Sequence, residues 1–259
     1  MRRFFQGRNA VFVGAGIAAV AIAVALILVS ALGSSGNTKA SPAVPATPAT
    51  HTATTASGLK TPTVAKAPGA AATVALFKGI PQTLNVLGSP NASTTMIEFA
   101  DLQCPFCREY AVASLPALVN EYVRTGKTKF VFSGMHFLGP DSEKALRAVF
   151  AAGIQDHAWE FLDLLYKSQG GENQGWVTDD LLRSIGASIP GFDTAKMVAD
   201  MSSPEVDNAL AAADQQSQQA RVNSTPTFFA GPTGGTLQQI NVGGLTPDAF
   251  RPTLDALTG

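Results

Sequence analysis

Cysteine is scarce in this sequence, because its 259 residues include only Cys104 and Cys107. A disulfide framework of the kind that holds small secreted scaffolds together usually has about four or more cysteines, so such a framework is excluded. A zinc site needs about four ligands, and the three histidines, His51, His136 and His157, lack the spacing of a zinc finger. We therefore predict no metal and no other cofactor, and we expect the two cysteines to serve chemistry.

Charge is also scarce, with 14% charged residues and a formal net charge of −1. Three of the basic residues, Arg2, Arg3 and Arg8, lie together at the N-terminus, which leaves the rest of the chain with a net charge of −4. Proteins that bind nucleic acid usually carry a basic patch. The sequence shows none, so we expect no nucleic-acid partner.

A long apolar run follows the three arginines, from Ala10 to Leu32. As a helix it is long enough to cross a hydrocarbon core of about 30 Å, and the preceding positive charge places residues 1–9 in the cytoplasm. We predict a retained transmembrane anchor at 10–32. A cleaved signal peptide is the alternative, although its apolar core usually has about 7–15 residues, and a soluble buried helix is the third reading.

Residues 33–74 are rich in alanine, threonine and proline and poor in aromatic residues. Such a composition cannot bury a core, and proline makes the segment extended and semi-stiff. We predict a disordered linker over 33–74 that holds a folded domain, residues 75–259, away from the bilayer.

The two cysteines lie at a predicted strand-to-helix junction. An apolar run at 96–99 precedes them, and an apolar pattern with helical spacing follows from Tyr110. The first sulfur then lies at a helix N-terminus, where unpaired N–H groups and the helix dipole favour a thiolate. A purely structural disulfide between Cys104 and Cys107 is the alternative, but the short loop that it would close restricts the unfolded chain very little. Dithiol–disulfide exchange is the better interpretation.

The apolar pattern predicts the elements around this pair. It gives a strand at 95–100, a helix through 110–122 and a strand at 127–135. A strand, a helix and a strand in succession imply a right-handed crossover and a parallel pair. Asp101 is predicted to cap the helix that follows it.

Further along, residues 141–222 have apolar residues at helical spacing, interrupted by turn residues such as those at 170–171 and 190–191. Trp159, Phe161 and Trp176 are predicted core residues of these helices, with an apolar groove for unfolded chains as the alternative. A hairpin is predicted from Phe228 to about residue 242, and a last helix begins near residue 246.

Three segments in order resemble the DsbA-like branch of the thioredoxin superfamily: Glu98-Phe99, Cys104-Pro105-Phe106-Cys107 and Ser224-Thr225-Pro226-Thr227-Phe228-Phe229. The resemblance extends from about residue 80 to the C-terminus. It implies an α/β thioredoxin fold with an inserted helical domain at about 141–222, here preceded by one N-terminal transmembrane helix.

The resemblance also implies roles for individual residues. Cys104 and Cys107 are the catalytic pair, and Pro105 fits the first helical turn. Phe106 occupies a tuning position; because phenylalanine cannot donate a hydrogen bond, we expect a less acidic Cys104 and a less oxidising disulfide than a histidine there would give. Glu98 is either a carboxylate on an edge strand facing water or a semi-buried acid that exchanges a proton with Cys107.

For Thr225 and Pro226, the resemblance implies a cis peptide bond that lies against the redox disulfide. The backbone of Thr225 would then be free to pair with an extended substrate as a temporary strand, and its hydroxyl would contact Cys104. An ordinary trans proline at the start of a strand is the alternative. His136 is expected in a loop or packed, rather than catalytic.

Together these features predict an extracytoplasmic, membrane-anchored thiol–disulfide oxidoreductase that introduces disulfides into cysteine-containing exported proteins. A membrane quinone reductase of the DsbB or VKOR type is the expected redox partner, and a monomer is the expected state. A reductase or an isomerase would use the same site. A non-catalytic tethered binding module is the alternative of a different class.

Overall fold

The structure of the protein is a computed structural model that describes residues 65–259. Its strands, in chain order, are β1 Gln82–Thr83, β2 Val86–Leu87, β3 Thr94–Asp101, β4 Thr128–Met135, β5 Thr227–Pro232 and β6 Gln238–Ile240. Its α-helices are α1 Ala70–Phe77, α2 Pro105–Ala113, α3 Leu115–Leu118, α4 Pro140–Gly153, α5 Ala158–Lys167, α6 Asp179–Ser188, α7 Thr194–Asp200, α8 Pro204–Gln219 and α9 Pro247–Thr258.

The six strands form one sheet in the order β1-β2-β4-β3-β5-β6. β3 and β4 pair in parallel, with Thr94 opposite Thr128 and Asp101 opposite Met135, as the strand–helix–strand pattern predicts. β5 pairs antiparallel to β3 on its other side and continues into the predicted hairpin with β6. β3 is therefore a central strand, and every one of its residues is buried.

Side chains of β3 alternate between two apolar layers because successive residues of a strand point to opposite faces. Ile97 and Phe99 belong to a small cluster with Phe229 on one face. Met96 and Ala100 belong to the main core on the other face, which also holds both cysteines. By this alternation Glu98 points to the same side as the cysteines.

Helices α4 to α8 form the insertion between β4 and β5 that was predicted for 141–222. Side-chain caps begin three of them, with Thr178 accepting from Leu181 N–H, Asp193 from Lys196 N–H and Ser203 from Val206 N–H. Helix α4 packs against α5 and α8, and α8 packs against β4. Trp159 and Phe161 are fully buried as predicted, whereas Trp176 is half-buried.

The helix predicted through 110–122 is interrupted. α2 ends at Ala113, α3 follows from Leu115, and a π-helical turn spans Val119–Val123. Pro116 accounts for the break, because its ring has no N–H and clashes with the carbonyl of the preceding helical turn. The prediction of one continuous helix here was wrong.

The packed part of the chain also begins earlier than the predicted boundary at residue 75. Helix α1 begins at Ala70, and Ala67 is already buried. Thr73 donates a hydrogen bond to the buried carboxylate of Asp163 at 2.5 Å, and Lys167 Nζ lies 2.6 Å from the same oxygen. These contacts join α1 to α5, so the packed domain includes residues before 75 in spite of their alanine-rich composition.

Within the described residues, no helix combines the length and the apolar character that a membrane crossing needs. The predicted cytoplasmic segment at 1–9, the anchor at 10–32 and the linker as far as residue 64 lie outside the described residues.

Candidate active site

The turn between β3 and α2 carries the first cysteine to the start of a helix. Cys104 is the N-cap residue of α2, and Pro105 occupies its first turn, where a missing N–H leaves no hydrogen bond unmade. The N–H of Cys104 donates to Asp101 O at 3.0 Å, and the N–H of Arg108 donates to Cys104 O at 3.1 Å. Both cysteines are free thiols, so the structure shows the dithiol form.

Cys104 is the more acidic thiol of the pair. A hydrogen bond with the Cys107 thiol is the main reason why the pKa of Cys104 falls from 9.0 to about 6, and burial opposes this effect. The side chain of Thr225 and the backbone N–H groups of Cys107 and Phe106 lower the same pKa further. A substantial fraction of Cys104 is therefore thiolate at neutral pH, and the thiolate is the nucleophilic form.

Cys107 behaves in the opposite way. It is completely buried, and this desolvation raises the pKa of its thiol well above 9.0, with further increases from Cys104 and Glu98. One sulfur of the pair is thus prepared to be a thiolate and the other holds its proton. This division matches an attacking and a resolving cysteine.

The segment before β5 lies against Cys104, although 121 residues separate it from Cys104 in the sequence. The peptide bond between Thr225 and Pro226 is cis, as the resemblance implies. The Cys104 thiol donates to Thr225 O at 3.4 Å. The structure therefore brings together four of the predicted site residues, namely Cys104, Cys107, Thr225 and Pro226.

Glu98 lies on β3, on the side of the strand that holds the two cysteines. It is not the water-facing carboxylate that one interpretation predicts. Its side chain is only 3% exposed, and its Oε1 has no hydrogen-bond partner within the described structure. Burial raises the pKa of Glu98 from 4.5 to about 8, and the nearby Cys104 raises it further. At neutral pH the carboxyl group is therefore mostly protonated and can exchange its proton.

Tyr110 adds a second buried hydroxyl to this region. Its ring packs between Phe228 and Phe250, at centroid distances of 4.7 and 5.2 Å, and its hydroxyl has no hydrogen-bond partner in the described part of the chain. Burial and the charge of Glu98 raise the pKa of Tyr110. The helix face that carries Cys107 is thus tightly packed and keeps Glu98 away from solvent.

Phe106 is unusual among the large apolar residues because it is 60% exposed. It occupies the second position between the cysteines, directly on the surface of the site. A phenylalanine ring has no hydrogen-bond donor, so the effect of this position on the Cys104 thiolate stays a prediction.

Asp101 does not cap α2, so that prediction was wrong. Its carboxylate is buried and accepts hydrogen bonds from Ser142 Oγ at 2.6 Å, Gln103 N–H at 2.9 Å and Leu138 N–H at 3.2 Å. The strand continues as far as Asp101, so its side chain points into the protein instead of back along the helix.

His136 lies at the end of β4, where its Nε2 is 3.2 Å from Asp214 Oδ1 on α8. This is the packed loop position expected for it. Among residues 65–259, no group of three or more histidine, cysteine or acidic side chains could hold a metal ion.

The residues of the insertion that hold the β3–α2 turn were not predicted from the sequence. Gln169 donates to two carbonyls of this turn, and Asn173 bonds the side chain of Gln103. No periodic pattern marks these residues, because they lie in and beside an irregular connection between helices.

A dithiol with one acidic and one buried sulfur, set at a helix N-terminus opposite a cis-proline segment on this sheet, defines a thiol–disulfide oxidoreductase of the thioredoxin class. Comparison with known proteins gives the family. The profile of the family described as Thioredoxin matches residues 82–239, and the chain belongs to the thioredoxin superfamily, in its DsbA-like branch.

Relatives with curated descriptions agree with this assignment. The chain is 31% identical over 150 residues to a probable disulfide bond formation protein D of Bacillus cereus, which covers 57% of this chain and 69% of that protein. It is 25% identical over 146 residues to disulfide bond formation protein D of Bacillus subtilis, covering 56% of this chain and 66% of that protein.

Solved structures show the same fold. BdbD from Bacillus subtilis, in its oxidised form, superimposes with a TM-score of 0.59 at 22% identity over 69% of this chain and 97% of that chain. The α-DsbA1 protein of Wolbachia pipientis gives a TM-score of 0.57 at 20% identity over 70% of this chain and 92% of that chain.

Proposed function

We propose that this protein is an extracytoplasmic oxidoreductase that introduces disulfides into cysteine-containing exported proteins through its Cys104-Pro105-Phe106-Cys107 dithiol. The observation that carries the proposal is the opposite shift of the two thiol pKa values, down to about 6 for Cys104 and well above 9.0 for Cys107. In such a pair the Cys104 sulfur is the one that a substrate thiolate attacks, and Cys104 then leaves the mixed disulfide readily as a thiolate. Reduction of the Cys104–Cys107 disulfide is also favoured, because it yields a stabilised thiolate.

The reaction begins with the oxidised enzyme. A substrate thiolate attacks Cys104 Sγ, a new disulfide forms between substrate and Cys104, and the Cys104–Cys107 bond breaks. Cys107 leaves with the electron pair and takes up a proton. A second substrate thiolate then attacks the substrate sulfur of the mixed disulfide, and Cys104 leaves as its thiolate. Two electrons have passed from the substrate dithiol to the enzyme.

Glu98 is proposed to supply the proton that Cys107 takes up. Its carboxyl group lies on the cysteine side of β3, is buried and has a pKa of about 8, so it holds a proton at neutral pH. Protonation of the departing Cys107 thiolate avoids a buried charge, which is costly without a partner. In the reverse direction, Glu98 would accept the proton again.

Thr225 and Pro226 are proposed to bind the substrate. The contact between Cys104 Sγ and Thr225 O places the backbone of Thr225 beside the attacked sulfur. Backbone groups at the start of a strand can pair with an extended peptide as an added strand, which gives affinity without requiring a particular sequence. This mode of binding suits an enzyme with many unfolded substrates.

The proposed location follows from the N-terminal sequence. Residues 1–9 would lie in the cytoplasm, the run 10–32 would anchor the chain, and a linker up to about residue 64 would hold the domain outside. An oxidase needs a partner that accepts its electrons. A membrane quinone reductase of the DsbB or VKOR type would restore the Cys104–Cys107 disulfide. The protein would act as a monomer.

The reduction potential of the Cys104–Cys107 pair tests the direction of electron flow. Thioredoxin has a thiol pKa of about 7 and a potential of about −270 mV, whereas DsbA has values of about 3.5 and −120 mV. Since Cys104 lies between them in acidity, we expect a potential between these two values in equilibrium with glutathione. A value at or below that of thioredoxin would contradict the oxidase and indicate a reductase.

Phe106→His is expected to make the enzyme more oxidising. An imidazolium at this exposed position can donate a charge-assisted hydrogen bond to the Cys104 thiolate, so the thiolate fraction in acidic solution should rise about threefold to tenfold. The measurement is the thiolate ultraviolet absorbance of the reduced protein as a function of pH, together with the reduction potential.

Phe137→His provides the matched control, because Phe137 is also an exposed phenylalanine, 55% accessible, but lies outside the cysteine motif. It should leave the Cys104 pKa unchanged. If Phe106→His moved neither the pKa nor the potential, Phe106 would not be a tuning residue.

A further inference from the structure

We infer that Gln169, in the helical insertion, is a positioning residue that clamps the redox turn, residues 101–104, and so fixes Cys104 at the N-terminus of α2. The inference rests on the proposed function, because a positioned thiolate matters only if Cys104 exchanges disulfides. By this inference the helical insertion contributes to the position of the reacting sulfur of Cys104.

The side-chain amide of Gln169 makes the central contacts. Its Nε2 donates to Leu102 O at 2.8 Å and to Cys104 O at 3.1 Å. Both acceptor residues are buried; Cys104 O also accepts from the N–H of Arg108, whereas Leu102 O depends on Gln169, and an unpaired buried carbonyl is costly. Gln169 lies just after the end of α5, so one side chain of the insertion holds the backbone on both sides of residue 103.

Residue 103 is held by the same part of the insertion. The side chain of Gln103 is 1% exposed, and its Nε2 donates to Ser142 Oγ at 2.9 Å and to Asn173 Oδ1 at 3.1 Å. Its Oε1 accepts from Asn173 N–H at 2.6 Å. The buried amide is thus satisfied entirely by α4 and by the connection between α5 and α6.

The last residue of β3 completes the clamp. Asp101 accepts from Ser142 Oγ and from Leu138 N–H, and its carbonyl oxygen lies 3.4 Å from the hydroxyl of Tyr166, which donates to it. All four residues from Asp101 to Cys104 therefore bond to the segment 138–173. The redox turn has fewer independent motions than its position in a loop suggests.

The acidity of Cys104 depends on this geometry. Its thiolate is stabilised by the Cys107 thiol and by the N–H groups of Cys107 and Phe106, and such hydrogen bonds weaken steeply when distance and angle change. A turn that can shift by a fraction of an ångström places Sγ less well against these donors. Loss of the Gln169 contacts should therefore reduce the thiolate, although Gln169 does not touch the sulfur.

Gln169→Ala in the full chain tests the inference. In the reduced protein, we expect the rate of alkylation of Cys104 by iodoacetamide in acidic solution to fall about threefold to tenfold, the factor that one lost hydrogen bond represents in an equilibrium constant. The thiolate ultraviolet absorbance should titrate at a correspondingly higher pH. Peptide mass spectrometry identifies the alkylated cysteine.

Gln155→Ala is the matched control. Gln155 also makes two hydrogen bonds to backbone groups, from its Nε2 to Asp193 O at 3.0 Å and from Asp193 N–H to its Oε1 at 2.9 Å. These bonds join parts of the insertion and do not touch the redox turn. Gln155→Ala should leave the titration of Cys104 unchanged.

Gln169→Met is the second variant, for the case that Gln169→Ala does not fold. It preserves the length of the side chain and adds no charge, but its thioether cannot donate to the carbonyls of Leu102 and Cys104. We expect a loss of thiolate in acidic solution similar to that of Gln169→Ala.

Two outcomes would overturn the inference. If both Gln169 variants lost stability but titrated like the wild type and Gln155→Ala, Gln169 would be a structural residue only, and the proposed function would stand. If the wild-type protein itself exchanged no disulfides with a reduced peptide, the proposed function would fail, and the positioning role would fail with it.

Discussion

Cys104→Ser is expected to reduce disulfide exchange with a reduced substrate protein to the level of buffer alone, a loss of about a thousandfold or more. The variant cannot form the Cys104–Cys107 disulfide that the substrate thiolate attacks, and a serine hydroxyl cannot form the mixed disulfide. Cys107, which remains, is completely buried and keeps its proton, so it cannot take the place of Cys104 in the exchange. The measurement is the rate at which the oxidised protein forms the disulfide of a dithiol peptide.

Cys107→Ser is the matched variant, because it removes the same atom three residues away. It should still form a mixed disulfide through Cys104, but it cannot resolve that bond internally, so the complex accumulates. Non-reducing electrophoresis after mixing with an activated substrate disulfide detects this complex. If Cys104→Ser retained the wild-type rate, or if Cys107→Ser trapped nothing while Cys104→Ser did, the proposed roles of the two cysteines would be reversed or wrong.

Glu98→Gln is expected to change how stability depends on pH. In the folded protein the pKa of Glu98 is about 8, whereas its ordinary value is 4.5, so between these values the folded state binds more protons at this group than the unfolded state does. The contribution of Glu98 to the free energy of unfolding therefore falls as pH rises through this window. The loss amounts to about 3–5 kcal/mol at pH 8 by the usual conversion of a pKa difference.

A glutamine at position 98 does not ionise, so the variant should lack this loss and gain stability over the wild type as pH rises from 5 to about 8. Denaturant unfolding of the oxidised protein at several pH values is the measurement. The oxidised form is needed because the depressed pKa of Cys104 gives a pH dependence of opposite sign in the reduced form.

Glu172→Gln is a suitable control, because Glu172 is an exposed carboxylate on the connection between α5 and α6. Its profile should run parallel to that of the wild type. If the Glu98→Gln profile also ran parallel, Glu98 would not titrate above its ordinary range, and the assignment of its proton to Cys107 would lose its basis. Slower formation of the mixed disulfide by the oxidised Glu98→Gln protein is the kinetic counterpart.

Several expectations from the sequence were wrong at residues whose contacts come from distant parts of the chain. Aspartate often caps helices, but β3 extends through Asp101, and Ser142 and Leu138 donate hydrogen bonds to its carboxylate. The alanine-rich stretch before residue 75 resembles the linker, yet α1 is held by Asp163 and Lys167. Composition describes a segment by itself and does not show which surface is available to cover it.

The sequence by itself determined the chemistry of this protein. Cys104 and Cys107 at a strand-to-helix junction fix a dithiol at a helix N-terminus, because adjacent residues of one turn need no distant partner to be close. The strand–helix–strand pattern determined the parallel pair, because two strands joined by a helical crossover run in the same direction. The hydrophobic periodicity of residues 141–222 likewise determined that a set of helices separates the two halves of the sheet.

Only the tertiary structure decided how this dithiol is tuned. The alternation of β3 left Glu98 either in water or in the core, and the flanking strands β4 and β5 bury it, which raises its pKa. Contact between Thr225 and Cys104 requires the fold to close 121 residues of chain, and the contacts of Gln169 require the insertion to dock on the redox turn. Desolvation and hydrogen bonding depend on distances between atoms that are remote in sequence, and local pattern carries no information about those distances.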